Sequence, residues 1–142
     1  MNKISGECLC GYISYTCSAE PVIAGHCQCT DCQKISGAGH ISNIAIPRGS
    51  LTIIGELAFH EKEAESGNII KRGFCPKCGS HIYAENSGMP QLEFIRAGSL
   101  YNLELFKPAM VVYAGSGASW DHMDPALPKF EAMPDMSSMP EL

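Results

Sequence analysis

Hydrophobic positions fall in short runs along this chain, and none keeps a helical period for long. Tyr12-Ile13-Ser14-Tyr15-Thr16-Cys17 is β-branched and aromatic with rough alternation, and Gly11 before it suits a tight turn. After a break at Ser18-Ala19-Glu20-Pro21, Val22 to Cys27 reads as the next strand. His40 to Ile46, closed by Pro47, and Leu51 to Ile54, closed by Gly55, continue the series. Leu57 to His60, Asn68 to Phe74, His81 to Ala84, Leu92 to Ala97 and Met110 to Ala114 complete it. Turn signals roughly every 8–12 residues between such runs predict a mainly β, antiparallel domain of short strands with little helix. One short helix is expected, with Thr30 as its N-cap and a break at Gly37-Ala38-Gly39. Glu61-Lys62-Glu63-Ala64-Glu65-Ser66-Gly67 reads as a solvated turn.

The 142 residues suit a single domain, and folding at that length removes roughly two-thirds of the unfolded chain's surface from water. The domain is expected to span residues 1–130. From Asp124 the chain carries Pro125, Pro128, Pro134 and Pro140 with Met133, Met136 and Met139, which predicts an extended or disordered C-terminal tail at 131–142. No run approaches the roughly 18 apolar residues that span a bilayer, so no membrane partner is expected. The first eight residues lack the apolar core of a signal peptide, and the expected location is cytoplasmic.

The formal net charge is −5, and seven thiolates on two divalent ions would take it to about −8. With the ten basic residues scattered, this is a poor match to a phosphate backbone, and nucleic acid is not an expected partner.

Eight cysteines change the picture most. In a reducing compartment, metal ligation or catalysis explains such a count better than disulfides do. Cys75-Pro76-Lys77-Cys78-Gly79 is a zinc-knuckle pattern, in which both sulfurs point inward from a tight turn. A closed tetrahedral site needs two more sulfurs, and Cys8 and Cys10 are the natural complement. As residues i and i+2 of a strand, they would share a face. The expectation is a structural zinc on Cys8, Cys10, Cys75 and Cys78.

Cys27-Gln28-Cys29-Thr30-Asp31-Cys32 puts three sulfurs within six residues. A strand-end C-x-C running into a helix-start C-x-x-C can set three thiolates around a second zinc, with its fourth position open as in catalytic sites. His26, Asp31 or His40 are candidates to close it. His26 is also a candidate acid or base, with a packing or hydrogen-bonding role beside Cys27 as the competing reading. A thioredoxin-like reading of Cys29 to Cys32 leaves Cys27 unexplained. Cys17 reads as a buried small hydrophobe, and His81 as packing against or capping the knuckle.

Taken together, Gly6 to Gly11, Gly25 to Cys32 and Gly73 to Ser80 resemble the glutathione-dependent formaldehyde-activating enzyme family, which includes centromere protein V-type domains. Ala97-Gly98-Ser99-Leu100 is similar to its later strand-end motif, and Trp120 with Leu127-Pro128 to its closing segment. The resemblance implies a mostly antiparallel β fold around a structural zinc on Cys8, Cys10, Cys75 and Cys78, with a second zinc on Cys27, Cys29 and Cys32. It implies carbon–sulfur lyase chemistry joining glutathione and formaldehyde as S-hydroxymethylglutathione, so the expected partners are a small thiol and a small aldehyde. The competing function is a non-catalytic, zinc-stabilised binding or scaffold module.

Overall fold

A computed structural model describes residues 3–134. In chain order its elements are β1 Ser5–Glu7, β2 Ser14–Cys17, β3 Ile23–Cys27, α1 Thr30–Ser36, β4 Ile41–Pro47, β5 Leu51–Ile54, β6 Ala58–Glu63, β7 Ile69–Phe74, β8 His81–Asn86, β9 Leu92–Arg96 and β10 Val111–Val112. Single 3-10 turns lie at Ala97–Ser99, Leu103–Leu105 and Ala114–Ser116. The architecture is mainly β with one short helix, as the short hydrophobic runs predict. The chain divides into two compact units, Met1–Val22 with Ile44–Phe106, and Ile23–Asn43 with Lys107–Leu142. No helix among the described residues is long and apolar enough to cross a membrane.

The first unit holds a three-stranded antiparallel sheet in the order β1-β2-β5, with Gly6 opposite Tyr15 and Tyr15 opposite Ile53. Three residues are too few to show a period, so β1 is invisible in the pattern and forms because β2 supplies its partners. Gly6 is required there, since a Cβ at that position would collide with the Ser99 carbonyl and the Tyr15 hydroxyl. Four strands of the second, seven-stranded sheet also lie in this unit, running antiparallel in the order β9-β8-β7-β6. Ile13, Ile44, Ile46, Ile82 and Ile95 are fully buried and make the core of this unit.

The stretch from Glu61 departs from expectation. The strand β6 continues through Glu63, with Glu61 opposite Lys71, and only then turns, Ala64 N–H donating to Asn68 O at 2.8 Å. Charged residues tolerate strand geometry here because β6 is the edge of its sheet, where outward Glu and Lys also discourage pairing with another chain.

In the second unit β3 lies beside β10 in parallel register, His26 opposite Val111 and Cys27 opposite Val112. This short parallel pair is an exception to the antiparallel rule expected from sequence. Gly25 packs against the Met110 carbonyl too closely for a side chain. Val111 is fully buried, with Met110, Ala24 and Ile41 around the same core. Residues 131–134 carry no helix or strand, and the remainder of the expected tail, 135–142, lies outside the described residues.

Candidate metal centres

The first cysteine group forms where β1 and β7 each end in a tight turn. Cys8 N–H donates to Ile13 O at 2.9 Å and Gly11 N–H to Cys8 O at 3.1 Å, with Gly11 at φ 82°. Cys8 and Cys10 therefore sit in a turn, not on one face of a strand, because Gly11 reverses the chain directly after Cys10. In the knuckle, Gly79 N–H donates to Cys75 O at 2.8 Å with Gly79 at φ 78°, a backbone that favours glycine.

These turns bring the sulfurs of Cys8, Cys10, Cys75 and Cys78 within 4.8 Å of one another. Cys10 Sγ lies 3.7 Å from Cys8 Sγ and 3.8 Å from Cys75 Sγ. Four sulfurs at about 2.3 Å from a central zinc would stand about 3.8 Å apart along each tetrahedral edge. None of the four is in a disulfide. Backbone N–H groups of Ile13 and Lys77 donate to Cys8 Sγ and Cys75 Sγ at 3.3 and 3.4 Å, partners that suit charged sulfur. Hydrogen bonds from the Ser80 hydroxyl and N–H draw the Cys78 thiol down to about 5. By spacing and chemistry, this group fits a closed tetrahedral metal such as zinc.

The second group is built at the passage from β3 into α1. Gln28 N–H donates to Val112 O at 3.0 Å, so the parallel partner holds the chain extended to Gln28. Cys29 then caps the helix: its sulfur accepts the Cys32 N–H at 3.3 Å, with Cys29 still in extended geometry at φ −63°, ψ 156°. Thr30 is the cap expected from sequence, but the cap falls one residue earlier and is a sulfur. Gly37 ends the helix in left-handed conformation. The sulfurs of Cys27, Cys29 and Cys32 lie within 4.8 Å of one another, and no fourth ligating group joins them among the described residues. Hydrogen bonds from the thiols of Cys27 and Cys32, then from the N–H groups of Cys32 and Asp31, draw Cys29 down to about 2. Its contacts with the Cys29 and Cys32 thiols, together with burial, push Cys27 up. The trio thus fits a metal with three protein ligands.

The three residues expected as alternative fourth ligands are not members of the trio. His26 Nδ1 is 2.8 Å from Ser42 Oγ. His40 Nδ1 is 2.9 Å from Asp121 Oδ2, and the His26 and His40 rings meet edge to face at 4.9 Å. Gln28, buried between two of the cysteines in sequence, donates its Nε2 to Asp121 Oδ2 at 3.0 Å. Burial opposes the charge on Asp121, but hydrogen bonds from Gln28 and His40 hold its carboxyl below the usual range. Burial, then the His40 charge, hold the His26 imidazole below its ordinary value, with Asp121 opposing. Asp121, Ser42 and the Gln28 amide carry no signal in the sequence pattern. Asp121 lies 81 residues from its histidine, and only folding reveals the pairing. Cys17 is buried beside Ser50 Oγ at 3.4 Å, a packing residue as expected. His81 packs against the Phe74 ring, with centroids 6.0 Å apart.

Comparison with known proteins agrees with these features. The family described as glutathione-dependent formaldehyde-activating enzyme matches residues 3–116. A crystal structure of a Rhodobacter sphaeroides protein from a structural genomics programme shares the fold, at TM-score 0.57 and 14% identity, over 89% of this chain and 98% of that one. The chain belongs to the glutathione-dependent formaldehyde-activating enzyme family.

Proposed function

We propose that this family member is a zinc-dependent enzyme of carbon–sulfur lyase type that forms and cleaves S-hydroxymethylglutathione, with Cys27, Cys29 and Cys32 holding the reactive metal. The observation that carries this reading is a trio of sulfurs that no fourth protein ligand completes among the described residues. A zinc ion there would supply an electron-pair acceptor that lowers the pKa of a substrate thiol, keeping it nucleophilic near neutrality. In the forward direction the S–C bond forms, the carbonyl π bond opens, and the thiol proton ends on the new hydroxyl oxygen.

The chain's own residues supply orientation and proton handling. His26, fixed through Nδ1 by Ser42, is the candidate to carry the proton, and its lowered pKa keeps it neutral near pH 7. The Asp121 carboxylate holds His40 against His26, which limits the positions the His26 ring can take. Gln28 links that carboxylate to the backbone carrying Cys27 and Cys29. The Cys8, Cys10, Cys75 and Cys78 group has a structural role, since four thiolates leave no ligand position open.

The test combines metal analysis with exchange NMR of glutathione and formaldehyde. Two metal equivalents and faster adduct exchange are expected for the native chain. Cys27→Ser is expected to retain one equivalent and lose the rate enhancement. A fully metallated protein without enhancement would refute the enzymatic reading in favour of a binding module.

A further inference from the structure

A sheet edge is a row of unpaired backbone donors and acceptors, and a fold that leaves one open invites another strand. Four edges end the two sheets, and among the described residues three of them are covered or charged. Beyond β1, Leu100 bridges Gly6, and Tyr101 N–H donates to Ser5 O at 3.0 Å. Beyond β10, Val111 N–H donates to Pro128 O and Phe130 N–H to Val111 O, each at 2.9 Å. The β6 edge carries Glu61, Lys62 and Glu63. The fourth edge is β5, Leu51-Thr52-Ile53-Ile54, which has no charge, no proline and three β-branched residues.

The ladder to β2 fixes which backbone groups of β5 face outward. Ser18 N–H donates to Ser50 O at 2.9 Å, while Cys17 N–H turns the other way, to Ile4 O. Antiparallel bonds alternate along a strand, and Thr16 lies opposite Thr52 and Ser14 opposite Ile54. Thr52 and Ile54 therefore commit their backbone groups to β2. The N–H and C=O of Leu51 and Ile53 point away from it, and no backbone bond from another described segment reaches them. Thr52 and Ile54 are exposed, Ile54 to 67%, and Leu51 and Ile53 are only half-buried. Left-handed glycines, Gly49 at φ 89° and Gly55 at φ 97°, turn the chain at either end, with Arg48 and Glu56 just beyond them.

We propose that β5 is a self-association edge, pairing antiparallel with β5 of a second copy about a two-fold axis at Thr52. In that register Leu51 of each copy stands opposite Ile53 of the other, and the two pairs exchange four backbone hydrogen bonds. A two-fold at Leu51 or at Ile53 keeps only two of the four, because the glycine turns lead the chain out of strand geometry. Thr52 meets its own counterpart on the solvent face, a favourable cross-strand pair. Charge selects the direction. Antiparallel pairing sets the Arg48 end of one copy beside the Glu56 end of the other, whereas parallel pairing sets like ends together. Arg48 pairs with Glu85 of its own chain and still keeps 43% of its side chain exposed. The two-fold closes after two copies, so the product is a dimer with one continuous six-stranded sheet and not a fibre. Four residues a side cover much less than the roughly 800 Å² per partner of a standard interface, which makes this a weak, concentration-dependent dimer.

The experiment follows the full, metal-loaded chain by sedimentation equilibrium from micromolar to millimolar concentration, with 1H–15N spectra of the same samples. A reductant is present, so that no cysteine joins two copies. The average mass is expected to climb from one chain towards two and no further. The Leu51 and Ile53 amides should shift downfield as it does, while those of Thr52 and Ile54, already bonded to β2, move less. Thr52→Lys, at an exposed position, sets two ammonium groups face to face and should weaken association about fivefold or more. Thr52→Glu should do the same, and an equimolar mixture of the two variants should restore association, since lysine then faces glutamate. A native chain that stays monomeric throughout would overturn the proposal, and so would an unrelated extended peptide that binds the Leu51 and Ile53 amides in place of a second copy. Association that Thr52→Lys leaves unchanged, that runs past two copies, or that the mixture fails to restore would overturn the two-fold register.

Discussion

Replacing Cys75 by serine tests the structural metal most directly. Cys75 is fully buried, and its sulfur is 3.8 Å from that of Cys10, a residue 65 positions earlier in sequence. A metal held by these four sulfurs would act as a cross-link between the first turn and the knuckle. A cross-link closing a loop of that size restricts the unfolded chain by about 4 kcal/mol. Serine brings a shorter side chain and a weakly acidic hydroxyl, so the four-sulfur set is broken and the link is lost. For a chain of this length, about 4 kcal/mol corresponds to a fall in Tm of roughly 10–15 °C. Total stability is typically only about 5–15 kcal/mol, so partial unfolding at 37 °C would accompany it. Differential scanning calorimetry with metal analysis on the same sample reads both quantities. The expected outcome is one metal equivalent in place of two, together with the lowered transition. A cooperative transition within about 3 °C of wild type, with two equivalents still bound, would refute the reasoning.

Two further outcomes follow from the packing and the titrations. Gly6→Ala would push a methyl group into the Ser99 carbonyl and the Tyr15 hydroxyl and should cost about 1–3 kcal/mol, measured by urea denaturation. Asp121 has its folded pKa held below the unfolded value near 3.9, so its stabilisation is fully present above that pH and disappears as pH falls through the folded value. The stability gap between wild type and Asp121→Asn, about 1–2 kcal/mol at pH 7, should therefore close in denaturation series taken towards pH 3.

Strand periodicity is legible where an element is long enough to repeat itself. The apolar run ending at Ile46 and the run ending at Phe74 announce β4 and β7 through their residue pattern alone. β1 is not legible, because three residues carry no period and its existence depends on Tyr15 across the ladder. Glu61 to Glu63 mislead for the opposite reason: local polarity signals solvent, and an edge strand meets that signal without being a turn. For the candidate metal centres, the grouping of the cysteines is legible in their short-range spacing, while the Cys8 to Gly11 backbone defies strand alternation because the left-handed Gly11 turn outweighs it there. The His40–Asp121 pair and the bare edge of β5 are beyond the reach of sequence, since each depends on contacts between distant segments or on strand register.

The cap of α1 has a consequence for how the second centre ages. Seven residues are too few for a helix to persist on its own, so this one relies on its ends. One of those ends is Cys29, whose sulfur holds the first turn and is also counted among the trio. Oxidising that one atom to a sulfinate would remove a metal donor and exchange the soft cap for a bulky one in a single event. Damage to the centre would then be written into the backbone as frayed amides at Thr30 to Cys32. Hydrogen exchange at those three positions would report the oxidative history of the site without any assay of turnover.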